Sequence, residues 1–314
     1  MRLALMIEPQ QDLSYDDQLE VARHAESAGF ETLFRSDHYE SFPGASGGAT
    51  TDAWAVLAGL ARDTERIGLG VLVSPVTFRH PGNLAKLAAT VQEMSGGRLE
   101  FGMGAGWHDD EHRRHGFAFP PIAERADILE EQLAIVRGLL EGPDGWSFEG
   151  AHYRVDDALF RRKPRPMPPI ITGGEGSPRG LRIAARWADE FNLVSTGPEA
   201  AAERLTRLDD ACRAAGRDPS TLRRSAMAGV LIGRDRDEVE RRTQALVEAV
   251  GIGEASRDWL DARRPRWVMG TPDEARAAIR RFGDAGVERV MLQDFLPTDL
   301  AMIDLRGEVL VGRG

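Results

Sequence analysis

Two runs decide how this chain is read: Arg66-Ile-Gly-Leu-Gly-Val-Leu-Val-Ser-Pro75 and, one helix later, Arg98-Leu-Glu-Phe-Gly-Met-Gly-Ala-Gly-Trp107. The first is a short apolar block closed by Ser74-Pro75, the pattern of a buried strand whose last residues leave regular pairing. Between the runs, Leu84, Leu87, Ala88, Val91 and Met94 recur at helical spacing on one face, and Gly96-Gly97 supplies the stop. The second run is another strand, ending in Gly104-Ala105-Gly106. Such a turn lets backbone N–H groups approach an anion, although the same glycines also suit a plain tight loop. Two strand tips one helix apart can line one pocket.

Outward from this stretch the same unit repeats. Met1 to Glu8 reads as a first strand, too short and too weakly charged for a secretion signal. Ser14 with Asp17 is an N-cap pattern opening a helix that ends at Gly29. Phe30 to Ser36 is a second strand that delivers Asp37-His38-Tyr39 to its tip, and a polar, glycine-rich loop through Gly48 leads to a helix around Trp54, Leu57 and Leu60. Glu124 to Leu140 is a helix, and Phe148 to Val155 is an inserted hairpin. Ile170 to Thr172 runs as strand five into Gly173-Gly174-Glu175-Gly176-Ser177 and a helix to Trp187. Glu190 to Val194 is strand six, Ala200 to Ala215 a helix, and Ser225 to Ile232 strand seven. A charged helical insertion spans Asp235 to about Leu260, Thr271-Pro272-Asp273-Glu274 opens another helix, and Val287 to Gln293 is strand eight. Eight strands alternating with helices fit a closed parallel barrel, and an open doubly wound sheet shows the same alternation. No shift in composition marks a linker, so residues 1–314 read as one domain.

The balance of 42% hydrophobic and 29% charged residues in 314 is that of a globular protein. No apolar run approaches the ~20 residues of a membrane span, and the expected location is the cytoplasm. Cys212 stands alone, which excludes an internal disulfide and suits a reducing compartment; its helical surroundings suggest a buried, inert thiol. A net charge of −10 argues against a nucleic-acid partner.

Read whole, Gly70-Val-Leu-Val-Ser-Pro-Val-Thr-Phe-Arg-His-Pro81, Met94-Ser-Gly-Gly-Arg98, Gly102-Met-Gly-Ala-Gly-Trp107 and Glu111-His112 closely resemble the luciferase-like monooxygenase superfamily, and within it the oxidoreductases dependent on the deazaflavin coenzyme F420. The resemblance implies an α/β fold, a (β/α)8 TIM barrel with insertions, holding its cofactor at the C-terminal ends of the strands. It implies that Ser36-Asp37-His38 brings Asp37 to the cofactor or its surrounding loop and His38 beside the reactive ring, where an imidazole, with an unperturbed pKa of ~6.5, suits catalytic proton transfer. It aligns Leu72-Val73 with a bulge that carries a non-prolyl cis peptide against the deazaflavin. It sets Gly104, Ala105, Gly106, Gly173 and Gly174 around the ribityl-phosphate part. Of the two glycine-rich turns, the second has the better generic physics, because a helix N-terminus adds roughly half a positive charge.

The expected activity is hydride transfer between F420 and a small organic substrate, with no metal. The alternatives are an FMN-dependent monooxygenase fed by a separate reductase, and a barrel that binds a flavin-type molecule without turnover. Relatives suggest a homodimer. Sugar-phosphate dehydrogenases of the superfamily carry a glutamate where this chain has Trp107, which puts that substrate in doubt. The string His108 to His115 contains three histidines but no His-Glu-x-x-His, and the resemblance implies a covering loop there. The basic cluster Arg161-Arg162-Lys163-Pro164-Arg165 reads as a solvated face that could also attract the coenzyme's oligoglutamate tail.

Overall fold

The alternation of apolar runs and amphipathic stripes folds into strands and helices in the expected order. The computed structural model describes residues 1–41 and 48–312, so most of the loop read from Tyr39 to Gly48 lies outside the described residues. The chain begins β1 (Arg2–Ile7), α1 (Tyr15–Ala28), β2 (Thr32–Arg35), α2 (Ala53–Asp63), β3 (Gly68–Pro75), α3 (Pro81–Met94) and β4 (Leu99–Gly104). It continues with α4 (Asp109–His115), α5 (Ile122–Glu141), the hairpin β5 (Trp146–Glu149) and β6 (Arg154–Ala158), β7 (Ile170–Gly174), α6 (Pro178–Trp187), β8 (Glu190–Leu193) and α7 (Pro198–Ala214). It ends with β9 (Arg223–Ile232), α8 (Arg236–Val250), α9 (Ala255–Asp261), β10 (Val268–Gly270), α10 (Pro272–Asp284), β11 (Arg289–Asp294) and α11 (Leu300–Arg306).

The sheet closes: parallel pairing runs β9, β11, β1, β2, β3, β4, β7, β8 and returns from β8 to β9. This is the expected eight-stranded barrel. The local signals hold where they are chemical. Ser14 and Asp17 form a capping box and Gly29 ends α1 in the left-handed conformation. Thr271 and Glu274 cap α10 in the same way. Three features went unread. β10 extends one edge of β9 with only three residues, α4 is a single short helix inside the histidine string, and α11 follows the last barrel strand.

Alternation along the strands separates two cores. Odd-numbered apolar residues of β1, such as Leu3, Leu5 and Ile7, pack outward against helices, whereas Ala4, Met6, Phe34, Leu72, Ile171 and Met291 fill the lumen. The floor of the lumen is ionic. Arg289 places Nη2 2.7 Å from both Glu100 Oε2 and Glu190 Oε2, reaches Glu31 at 3.1 Å, and lies over the Phe34 ring. Thr32 donates its hydroxyl to Glu100 at 2.6 Å. Burial works against the charge, but Glu100 and Glu190 hold the guanidinium above its ordinary pKa. Glu100 is likewise held below its usual range, with burial opposing and Arg289 prevailing.

Replacing Arg289 by Met strips these carboxylates of their shared cation and is expected to lower stability by about 3–5 kcal/mol at neutral pH. In the native protein the depressed Glu100 contributes stability that is complete above its unfolded pKa of 4.5 and is lost as acid carries the pH through the lower folded value. In R289M the sign reverses, because unpaired buried carboxylates retain protons to higher pH. The deficit therefore shrinks from about pH 7 to about pH 5 in urea melts.

Candidate active site

β3 is the strand that leaves its register. It pairs with β4 from Leu69 to Val71 and again from Ser74, and the extra residues between form a bulge in which the Leu72–Val73 peptide is cis. The facing glycines of β4 make room for it. A Cβ on Gly102 would sit 2.2 Å from the Val71 carbonyl oxygen, and one on Gly104 2.5 Å from Val73 Cγ2. These two glycines therefore answer to the bulge, while Gly106, at φ +78°, makes the turn that follows.

Behind the bulge runs a chain of buried hydrogen bonds. The Trp54 indole donates to Ser74 Oγ at 2.9 Å, Ser74 donates to Asp37 Oδ2 at 2.9 Å, and Arg79 donates to the same oxygen at 2.5 Å. Arg79 also bridges to Asp52, the N-cap of α2, at 2.6 Å. Burial opposes the Arg79 charge, yet Asp37 and Asp52 hold its pKa above the ordinary value. The carboxylate of Asp37 is thus committed to the loop that follows β3.

The neighbouring His38 turns to another partner. Its Nδ1 lies 3.0 and 3.1 Å from the two oxygens of Glu111, and the Tyr39 backbone N–H donates to Glu111 Oε2 at 2.9 Å. Burial alone would raise the Glu111 pKa, but these hydrogen bonds and the facing His38 hold it below its usual range. A carboxylate can only accept, so Nδ1 of His38 carries the proton in this contact.

Glu111 belongs to α4, which is bolted on at several points. His112 is buried, with Nδ1 2.7 Å from the His108 carbonyl and Nε2 2.6 Å from Thr77 Oγ1, inside a ring cluster with Phe78 and Phe119. Arg114 and His115 both reach Glu40. The histidines of the string therefore diverge. Among the described residues, the grouping close enough for a metal is His38, His108 and Glu111, whose donor atoms lie within 4.8 Å, and Glu111 there already accepts from His38 and Tyr39.

The second glycine-rich turn is open. A Cβ on Gly174 would meet nothing within 4 Å, and Gly176, at φ +84°, lies against the Arg204 side chain, which also bonds Thr196. The helix end itself offers fewer donors than the sequence suggests, because Pro178 has no N–H and Ser177 Oγ takes that of Gly180 at 3.2 Å. Sequence reasoning missed Glu111 as the partner of His38, and it missed Glu8, a buried carboxylate one residue past β1 that accepts from Gln10 and Gln293. The basic cluster lies elsewhere: Arg162 pairs with Glu93 at the far end of α3, and Lys163 donates to the Leu139 carbonyl near the end of α5. Both positions are on the side of the strand N-termini, which removes the cluster from the site.

Residues 1–289 match the luciferase-like monooxygenases, and the chain belongs to that family. Among its relatives is an F420-dependent glucose-6-phosphate dehydrogenase from Microbacterium testaceum, 30% identical over 86% of this chain and 84% of the relative. An F420-dependent hydroxymycolic acid dehydrogenase from Mycobacterium tuberculosis is also 30% identical, over 84% of this chain and 75% of that one. The fold is shared with an F420-dependent secondary alcohol dehydrogenase solved with an F420-acetone adduct, at a TM-score of 0.83 and 23% identity over 99% and 98% of the two chains.

Replacing Asp37 by Asn leaves buried Arg79 with only the more exposed Asp52 and is expected to cost about 3 kcal/mol. A urea melt measures it, and native stability in D37N would show that this carboxylate is not what fixes the bulge.

Proposed function

We propose that this chain is an oxidoreductase that binds coenzyme F420 at the C-terminal ends of its strands and uses it for hydride transfer to or from a small organic substrate. The observation that carries the reading is His38 at the tip of β2, oriented by Glu111. The dehydrogenases named above, similar over most of the chain, support the cofactor. The residues fit it: the bulge offers an apolar backing from Leu72 and Val73, and the turn at Gly173-Gly174, open at Gly174, with Gly104, Ala105 and Gly106 past the neighbouring strand, offers backbone donors for its phosphate. Asp37 serves the site by holding the loop after the bulge.

When bound, the deazaflavin supplies a ring carbon that carries hydride. The protein supplies the proton side of the exchange. Glu111 and the Tyr39 N–H fix the imidazole, so that His38 Nε2 takes a proton from a substrate hydroxyl or returns one to a carbonyl. Short α4, tied to Thr77 and Glu40, covers the reacting groups against water. Cytoplasmic location and a homodimer belong to this reading; no described helix is long and apolar enough to cross a membrane, and Cys212 is a buried free thiol whose pKa burial raises.

Fluorescence titration of the purified protein with F420 and with FMN is expected to show tighter F420 binding, and equal or tighter FMN binding would favour the two-component monooxygenase. With F420 bound, His38→Asn is expected to cut turnover by about 10²–10⁴-fold, and native turnover would remove His38 from the chemistry.

A further inference from the structure

The turn after β7 is better supplied with space than with donors. Gly174 is open, but Pro178 has no N–H and Ser177 Oγ takes that of Gly180, so an anion seated here meets few backbone groups. A charged side chain reaches the turn from the next βα unit. Gly176, at φ +84°, leaves room that the stem of Arg204 fills: a Cβ on Gly176 would lie 3.4 Å from both Cγ and Cδ of that arginine.

A short relay of hydrogen bonds fixes Arg204 in this place. The Val194 N–H, just past β8, donates to the Gly174 carbonyl at 3.1 Å, and the Thr196 hydroxyl donates to the Val194 carbonyl at 2.9 Å. Arg204 Nη1 in turn donates to Thr196 Oγ1. Arg204 sits in the second turn of α7, and helical side chains lean toward the N-terminus of their helix, which carries the guanidinium to the loop after β8.

The charge of Arg204 is not spent inside the protein. Among the described residues it has no carboxylate partner, and its acceptor is the neutral Thr196 hydroxyl. Glu175, in the turn itself, is exposed and forms no ion pair with it among the described residues. The neighbouring cations are committed elsewhere. Arg179 pairs with Asp127, Arg125 lies over the Phe119 ring and donates to the Pro120 carbonyl, and Arg266 donates to the Ser195 and Ala262 carbonyls. A half-buried guanidinium with donors to spare beside an open glycine turn has the charge and geometry for an oxyanion.

We propose that Arg204 binds the phosphate of coenzyme F420 together with the backbone at Gly173 and Gly174, and so sets a preference for the phosphorylated coenzyme over the bare deazaflavin. This rests on the F420 reading above. A guanidinium can offer N–H groups to two phosphate oxygens while one N–H stays on Thr196. Arg204 meets the side chain of the coenzyme and not its reacting ring, so its contribution is to affinity.

The test is fluorescence titration with F420, with its glutamate-free form, and with Fo, the precursor that has the deazaflavin and ribityl groups but no phosphate. Arg204→Gln is expected to raise the Kd for F420 and for the glutamate-free form about tenfold, with the Kd for Fo unchanged. The unchanged Fo affinity also reports that the variant is folded. An unaltered F420 Kd in R204Q, or an equal loss for Fo, overturns the assignment. A loss confined to the glutamate-bearing form overturns it too, by moving the contact to the tail. Failure of the native protein to bind either F420 or Fo would overturn the F420 reading itself, whereas native binding of both with no preference between them overturns only the role of Arg204.

Discussion

The ion cluster around Arg289 fixes which end of this barrel can do chemistry. A guanidinium buried to 1% exposure, shared by two carboxylates at 2.7 Å, stoppers the lumen at the strand N-termini. Its donors and the facing oxygens leave little for a ligand to satisfy. Above it the lumen is filled by Ala4, Phe34, Ile171 and Met291, so space opens only toward the strand C-termini. Loops and bulges are free to vary there because they carry no part of the closure.

The mouth is then built by two couplings of different kind. Trp54 on α2, Ser74, Asp37 and Arg79 connect an outer helix to the bulge through buried hydrogen bonds, so the distortion of β3 is anchored from outside the barrel. Glu111 couples across the mouth, reaching from α4 to the tip of β2. Neighbours in sequence are thereby given different work: Asp37 faces the bulge and His38 faces α4.

The barrel was legible because its signals are periodic and local. Apolar blocks, helix stripes and caps such as Ser14–Asp17 and Thr271–Glu274 each report their own backbone. Three-residue β10 has no room for a pattern, and α4 hid in a string whose charges suggest a metal as readily as a helix. The cis peptide at Leu72–Val73 was reached through resemblance, since nothing in those two residue types demands it. The partner of His38 was illegible for a different reason. Glu111 is 73 residues away, and only the closed ring brings β2 and the loop after β4 together. Gly104 was read as the start of an anion-binding turn, and what the sequence did not show is that the space at Gly104 and at Gly102 in the strand before it is taken by Val73 and Val71 of the adjacent strand.

The chain holds two lysines, and both lie away from the barrel mouth. The lysine amines are those of Lys86 and Lys163, one on the flank of α3 and one near the end of α5. Amine-reactive coupling to a resin or sensor surface would attach the protein by its side or base and leave the mouth facing solution. The placement of the two lysines therefore provides oriented immobilisation with no engineered tag.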